Sequence, residues 1–178
     1  MNDRYVIGLD FGTNSARAII ANTRNGDEIA TRVFDFPSGE KGVILDGRNP
    51  DLARQDPADY LEAVKVTVRG ALSEAAKTPG FTPEAVIGIG VDTTGSTPLP
   101  VDAGGTPLAF QDRFAANPAA MAWLWKDHTG HAEAAEITAL AGKMRPHYLA
   151  KCGGAYSSEW FWSKILHCKR TALEVFEA

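Results

Sequence analysis

Asp10, Thr13, Asn14 and Ser15 lie within six residues of one another around Gly12, and Arg17 follows two positions later. The cluster gathers a carboxylate, two hydroxyls, an amide and main-chain N–H groups around a glycine that can adopt positive φ. Such a turn suits a magnesium-bound phosphate. The donors hold the phosphate oxygens, and the carboxylate faces the metal directly or through water. An ordinary hairpin with a polar tip would use the same residues, so both readings stand at this point. A second stretch of this kind is Asp92-Thr-Thr-Gly95-Ser96-Thr97, again small, hydroxylic and acidic at its start.

Other candidates are scattered. His128 reads as a partner for the end of a helix, and His131, His147 and His167 have no partner that spacing identifies. Trp123, Trp125, Trp160 and Trp162 crowd the last third of the chain. They read as aromatic core mass, or as one or two faces on which a sugar could stack. Cys152 and Cys168 are the only cysteines, with no Cys-x-x-Cys and no paired histidines, so a structural zinc site is not expected.

The elements that must position these residues follow from periodicity and turn chemistry. Tyr5–Leu9 and about Ala16–Asn22 read as two strands of a hairpin, and Asn25-Gly26 turns the second into a third strand over Glu28–Phe36. Residues 37–55, rich in Gly, Pro, Asp and Asn, read as a surface excursion. Asp56-Pro57 opens a helix with Leu61, Val64, Val68, Ala71 or Leu72, and Ala75 on one stripe. Ala85–Val91 is a continuous apolar run, expected as a buried central parallel strand. A right-handed crossover joins it to the hairpin, and Leu99–Val101 is expected as a fifth strand. In such sheets ligands collect beyond the carboxyl ends of the parallel strands, where Asp92–Thr97 lies. Gly88 and Gly90 sit inside the strand with no helix directly after them, so they are not a dinucleotide fingerprint. Three helices complete the pattern: Asn117–His128, about His131–Lys143, and one from Ser157 or Ser158 onward.

With 178 residues, 44% of them hydrophobic and 22% charged, the chain reads as one soluble globular domain. A net charge of −4 argues against a nucleic-acid partner. No basic and apolar leader is evident and no apolar run reaches membrane-spanning length, so a cytoplasmic protein is expected.

Four stretches point further. Gly8-x-Asp10-x-Gly12-Thr13-x-Ser15-x-Arg17-Ala18 resembles the first phosphate motif of the FGGY carbohydrate kinases, within the actin and hexokinase superfamily. Gly88–Thr97, Leu124–Thr129 and Gly153–Lys164 are similar to the ribulokinase branch of that family, which serves arabinose catabolism. The resemblance covers essentially the whole chain. It implies an α/β, ribonuclease H-like (actin-like ATPase) domain with a mixed five-stranded sheet and flanking helices. The sheet part would run over about residues 4–110 and the helical part over about 115–178. It further implies ATP and Mg²⁺ as cofactors, with Asp10, Gly12, Thr13, Asn14, Ser15 and Arg17 on the phosphates and Asp10 toward the metal. Arg17 would either brace the hairpin or reach the phosphates. Gly95 and Ser96 would lie beside a ketose, and Asp127 and Glu159 would bond sugar hydroxyls or serve as helix caps and ion-pair partners. The partner is a small ketose, with neither nucleic acid nor membrane and with homo-oligomers allowed. FGGY kinases are longer, with a second lobe for adenosine and an aspartate base that would fall beyond residue 178. The chain is therefore expected to be the N-terminal part of such a kinase, inactive alone; a kinase for a related ketose or polyol such as D-ribulose or xylulose, or a sugar- or phosphate-binding module that does no chemistry, is the alternative.

Overall fold

The computed structural model describes residues 3–178. The chain divides into two compact units, the first formed by residues up to Gly42 with Ala58–Thr94, the second by Val43–Pro57 with Gly95–Ala178. This differs from the expected division near residue 110. The second unit begins directly after the first parallel crossover and also recruits the excursion before the first helix.

In the first unit, β1 (Tyr5–Phe11), β2 (Ser15–Asn22) and β3 (Glu28–Asp35) form an antiparallel meander. Gly26 takes φ 79° in the second turn, as its Asn-Gly sequence requires. Helix α1 spans Pro57–Ala75 and lies on one face of this sheet. Alternation along the strands builds the core: Tyr5, Ile7 and Leu9 face the helix beside Ala18 and Ile20, all buried. The expected stripe holds over Val68, Ala71, Leu72 and Ala75, which pack on the sheet, but not over the first turns of the helix, where Leu61 and Val64 are exposed. Ala63, Thr67, Ala71 and Ala75 are fully enclosed, whereas Leu61 is 54% exposed. Four small residues at i, i+4 spacing let the helix backbone come close to the sheet, and that close approach outweighs the larger side chains of Leu61 and Val64.

The β strand after the crossover, β6 (Val86–Thr93), pairs in parallel with β1 and completes a four-stranded mixed sheet of order β3-β2-β1-β6. The mixed sheet is as expected, but it has four strands, not five. Leu99–Val101 makes only an isolated bridge, Val101 to Pro107, because Pro98 and Pro100 have no N–H to donate to a ladder. Nor is β6 central. It forms the sheet edge among the described residues, leaving Ile87, Ile89 and Val91 exposed.

The second unit corrects the reading of residues 37–55 as surface loop. β4 (Ile44–Asp46), β5 (Asn49–Gln55) and β7 (Ala122–Trp123) make a separate three-stranded antiparallel sheet. Ala53, Arg54 and Gln55 are buried in it. The expected helix over Asn117–His128 shrinks to a 3₁₀ turn at Pro118–Ala120, which Asn117 caps by accepting from the Ala119 N–H at 2.9 Å. Ala122, Trp123 and Leu124 are then buried in succession, a burden that a helix, with one face outward, cannot meet; pairing with β5 meets it. Helices α2 (His131–Met144), α3 (Pro146–Lys151), α4 (Phe161–Thr171) and α5 (Leu173–Phe176) follow. Glu133 of α2 accepts from His167 of α4 at 3.0 Å, and Arg170 of α4 bonds Glu136 at 2.8 Å, so the two helices are tied through polar as well as apolar contacts. Of the tryptophans, Trp123 is core at 3% exposure, whereas Trp125 and Trp162 are exposed. No described helix is long and apolar enough to cross a membrane.

Candidate functional site

The first unit brings one group of predicted residues together. Strand β1 ends on Asp10 and Phe11, and strand β2 starts at Ser15, so Gly12, Thr13 and Asn14 form the tip. The Gly12 N–H donates to the Ser15 carbonyl at 2.9 Å, which closes the turn. A side chain at position 12 would meet that carbonyl at 3.2 Å, a tight contact that favours glycine. Asn14 is pinned at both ends: its side chain donates to the Lys41 carbonyl at 2.6 Å, and its own carbonyl accepts from the Phe36 N–H at 2.9 Å. The tip is thus a shaped loop held by the next strand and the segment beyond it.

Asp10 and Arg17 are direct cross-strand neighbours, and Arg17 Nε lies 3.1 Å from Asp10 Oδ2. Both side chains are about half exposed, so the pair contributes only about 0.2–1 kcal/mol and leaves both groups free to exchange partners. This contact is compatible with either role given to Arg17, bracing the hairpin or reaching the phosphates. On the other side, Asp10 stands level with Asp92 of β6. Two carboxylates therefore lie at the carboxyl ends of adjacent parallel strands, the place where such sheets receive ligands. Asp92 accepts from the Thr93 N–H at 3.0 Å, which fixes its orientation. Gly8 and Gly90 are also level with one another. With these two positions bare, an open cavity of about 480 Å³ runs up the sheet to Asp10, Arg17 and Asp92.

Among the described residues, no group of three or more His, Cys, Asp or Glu could hold a metal. A metal ion at Asp10 would therefore need water and ligand oxygens to complete its shell, which is how Mg²⁺ is commonly held beside phosphates. Exposed carboxylate oxygens fit that demand.

The remaining predicted residues belong to the second unit. Gly95 has open space where a Cβ would stand, with nothing within 4 Å. Ser96 adopts φ 55°, the left-handed conformation that a non-glycine residue occupies only at a cost. Its carbonyl accepts a 2.7 Å hydrogen bond from Lys164 Nζ. Lys164 is 1% exposed and also donates to the Leu124 and Trp123 carbonyls, at 2.8 and 3.3 Å. Burial, and next the nearby Arg54 charge, lower its pKa to about 8, with Glu159 opposing.

Asp127 does not reach out to a ligand. It is fully enclosed, with one carboxylate oxygen on the Ala53 N–H at 2.8 Å and on the Arg54 guanidinium, and the other on the Thr129 N–H and hydroxyl at 3.2 and 2.6 Å. All its lone pairs are taken. The sugar contact expected there is corrected to the other role foreseen for it, an ion pair. Arg54 in turn stacks on the Trp123 ring, 3.6 Å from its centre. Burial lowers its pKa to about 9, still leaving it charged at neutral pH. Glu159 is partly exposed ahead of α4, with His128 Nε2 3.7 Å away. His128 lies between β7 and α2, not at the end of a helix, and its Nδ1 is 2.8 Å from Ser158 Oγ.

Arg54 and Lys164 carry no assignment from spacing. The one sequence signal is a lone lysine embedded in Trp160-Phe-Trp-Ser-Lys164-Ile-Leu, where a cation on an apolar face must find carbonyls.

The family model for the N-terminal domain of the FGGY family of carbohydrate kinases matches residues 5–151. The chain belongs to this family. It is 44% identical over 165 residues to a ribulokinase of Vibrio parahaemolyticus, covering 92% of this chain and 28% of that protein. It is 38% identical over 178 residues to a ribulokinase of Shouchella clausii, covering 98% of this chain and 31% of the relative. The chain thus spans about 30% of the length of these relatives. Among solved structures, a gluconate kinase of Lactobacillus acidophilus superposes with a TM-score of 0.71 at 17% identity, over 99% of this chain and 30% of that one. A ligand-bound xylulose kinase from the same organism gives 0.69, also at 17%, over 98% and 30%. These shared folds place the chain in the actin-like ATPase architecture that the first phosphate motif implies.

Proposed function

We propose that the chain is the N-terminal part of an ATP-dependent kinase that phosphorylates a small ketose, L-ribulose before others. The observation that carries this reading is the Asp10–Arg17 hairpin tip, level with Asp92 at the carboxyl ends of two parallel strands. When bound there, Mg·ATP supplies the phosphoryl group. The tip's N–H and hydroxyl groups at Gly12, Thr13 and Ser15 would hold phosphate oxygens, Asp10 would face the metal, and Arg17 would keep Asp10 in place. Catalysis of this kind is mostly positioning and charge stabilisation, which a pinned loop provides. The Gly95–Ser96 turn would take the ketose, with the partly exposed Glu159 bonding its hydroxyls. L-Ribulose is favoured because the relatives at 33–44% identity are ribulokinases; D-ribulose and xylulose are the near alternatives. The general base would be an aspartate beyond residue 178. The reading also expects a cytoplasmic enzyme acting on free sugar, without nucleic acid or membrane and able to form homo-oligomers.

The test is ketose-dependent ADP release by a kinase-length protein that carries this segment, compared across L-ribulose, D-ribulose, D-xylulose and gluconate. Asp10→Asn should lower kcat by about 10²-fold or more while moving the ketose KM less than about threefold. A raised ketose KM with normal kcat would remove Asp10 from the phosphate site. Turnover of L-ribulose and ATP by the 178-residue chain alone would overturn the placement of the base.

A further inference from the structure

Lys164 is the most deeply buried cation of α4, and no carboxylate is bonded to it. Its three N–H groups go to three main-chain carbonyls, those of Ser96, Trp123 and Leu124. Two of these belong to the strand end that carries β7, and the third belongs to the turn after β6. The start of the turn is tied by the Thr94 N–H, which donates to the Phe11 carbonyl at 3.1 Å. Gly95 has nothing within 4 Å of its Cβ position, the Thr97 hydroxyl makes a long 3.4 Å bond back to the Gly95 carbonyl, and Ser96 sits at φ 55°. A strained conformer persists only where its surroundings over-determine it. The 2.7 Å charge-assisted bond to the Ser96 carbonyl is such a restraint.

We infer that Lys164 is a positioning residue for the ketose, fixing the Gly95–Ser96 turn from behind so that its open side keeps one shape. The inference rests on the reading of that turn as the sugar contact. An apolar residue at 164 would fill the space and bury no charge, so packing alone does not call for a lysine there. The charged groups around it are Arg54 on β5, neutralised by Asp127 from the loop after β7, and Glu159 ahead of α4; Cys168 follows one turn along α4.

Lys164→Met tests it. In the chain, the Ser96 carbonyl-carbon and Thr97 amide-nitrogen resonances should shift and the amides of 95–97 should exchange faster, with those of the first unit unchanged. In the kinase-length protein the ketose KM should rise about tenfold or more, with the ATP KM and kcat moved less than about threefold. A folded variant whose 95–97 resonances and exchange match the unmodified chain overturns the inference. Loosened 95–97 amides with an unmoved ketose KM overturn instead the reading of the turn as a sugar contact. If the variant does not fold, the unmodified chain decides. The Ser96 and Thr97 resonances should titrate together with the Lys164 ammonium, whose pKa burial lowers; 95–97 resonances that stay flat while Lys164 titrates overturn the inference.

Discussion

Replacing Asp127 by Asn tests whether this acid is a structural anchor or a sugar ligand. The side chain keeps its shape and loses its charge. In the native unit its two oxygens accept from four groups: the Ala53 N–H, the Arg54 guanidinium, the Thr129 N–H and the Thr129 hydroxyl. An amide has one acceptor atom, so its NH₂ must point at one of these two donor pairs. Arg54, at 2% side-chain exposure, would then be a buried cation without its counter-charge. Breaking one side of a buried pair costs about 3–5 kcal/mol. With a urea slope of about 2 kcal/mol/M, that moves the midpoint down by about 2 M. All four tryptophans lie at 123–162, within the second unit, so their fluorescence reports on the unit that holds the pair. The double replacement Arg54→Met with Asp127→Leu should recover part of the loss, because it removes both charges together. A midpoint within about 0.5 M of the unmodified chain, with a raised ketose KM in the kinase-length protein, would refute the anchor and restore Asp127 to the sugar.

Other substitutions separate folding from binding. Gly95→Leu projects into open space from a residue outside the left-handed region. It should leave the melting temperature nearly unchanged while raising the ketose KM, as thermal unfolding and steady-state kinetics would show. Gly130→Ala should do the reverse: the added Cβ meets the Ser163 main-chain carbonyl oxygen at 2.9 Å. The resulting overpacking should cost about 1–3 kcal/mol in urea unfolding and leave residues 10–17 undisturbed. For pH, burial brings the folded-state pKa of Lys164 down to about 8 from the 10.5 of an ordinary lysine. The unfolded chain therefore binds more protons between those values, and this residue's contribution to stability rises with pH across that window. Arg54 is shifted in the same direction, so the measurement is the stability difference between the unmodified and Lys164→Met chains at pH 7, 8, 9 and 10. Relative to Lys164→Met, the unmodified chain should gain stability as the pH is raised.

The residues that were legible in the sequence are those whose partners are close along the chain. Asp10 and Arg17 face one another because a short turn joins their strands, and the Asn25-Gly26 turn states its own geometry. Helix α2 is likewise bounded by local signals. Periodicity also located α1 and the core-facing Val68, Ala71, Leu72 and Ala75, but extended the stripe to Leu61 and Val64, which are exposed while Ala63 and Thr67 are buried; which residues face the sheet there depends on how closely it lets the helix approach. Where the deciding contact is distant, the pattern misleads. Trp123-Leu-Trp125 looks helical until β5, far back in the chain, pairs with β7. Asp127 looks like a free acid until Arg54, 73 positions earlier, fills its lone pairs. Lys164 looks like surface charge until Ser96, 68 positions away, claims one of its protons. The two turns read as ligand sites differ in the same way. The Asp10–Ser15 tip carries its scaffold in β1 and β2, so its geometry follows from neighbours close along the chain, while the phosphate role comes from the resemblance. The Gly95–Ser96 turn takes its shape from α4, and for that reason the residue that governs it lies nowhere near it in the sequence.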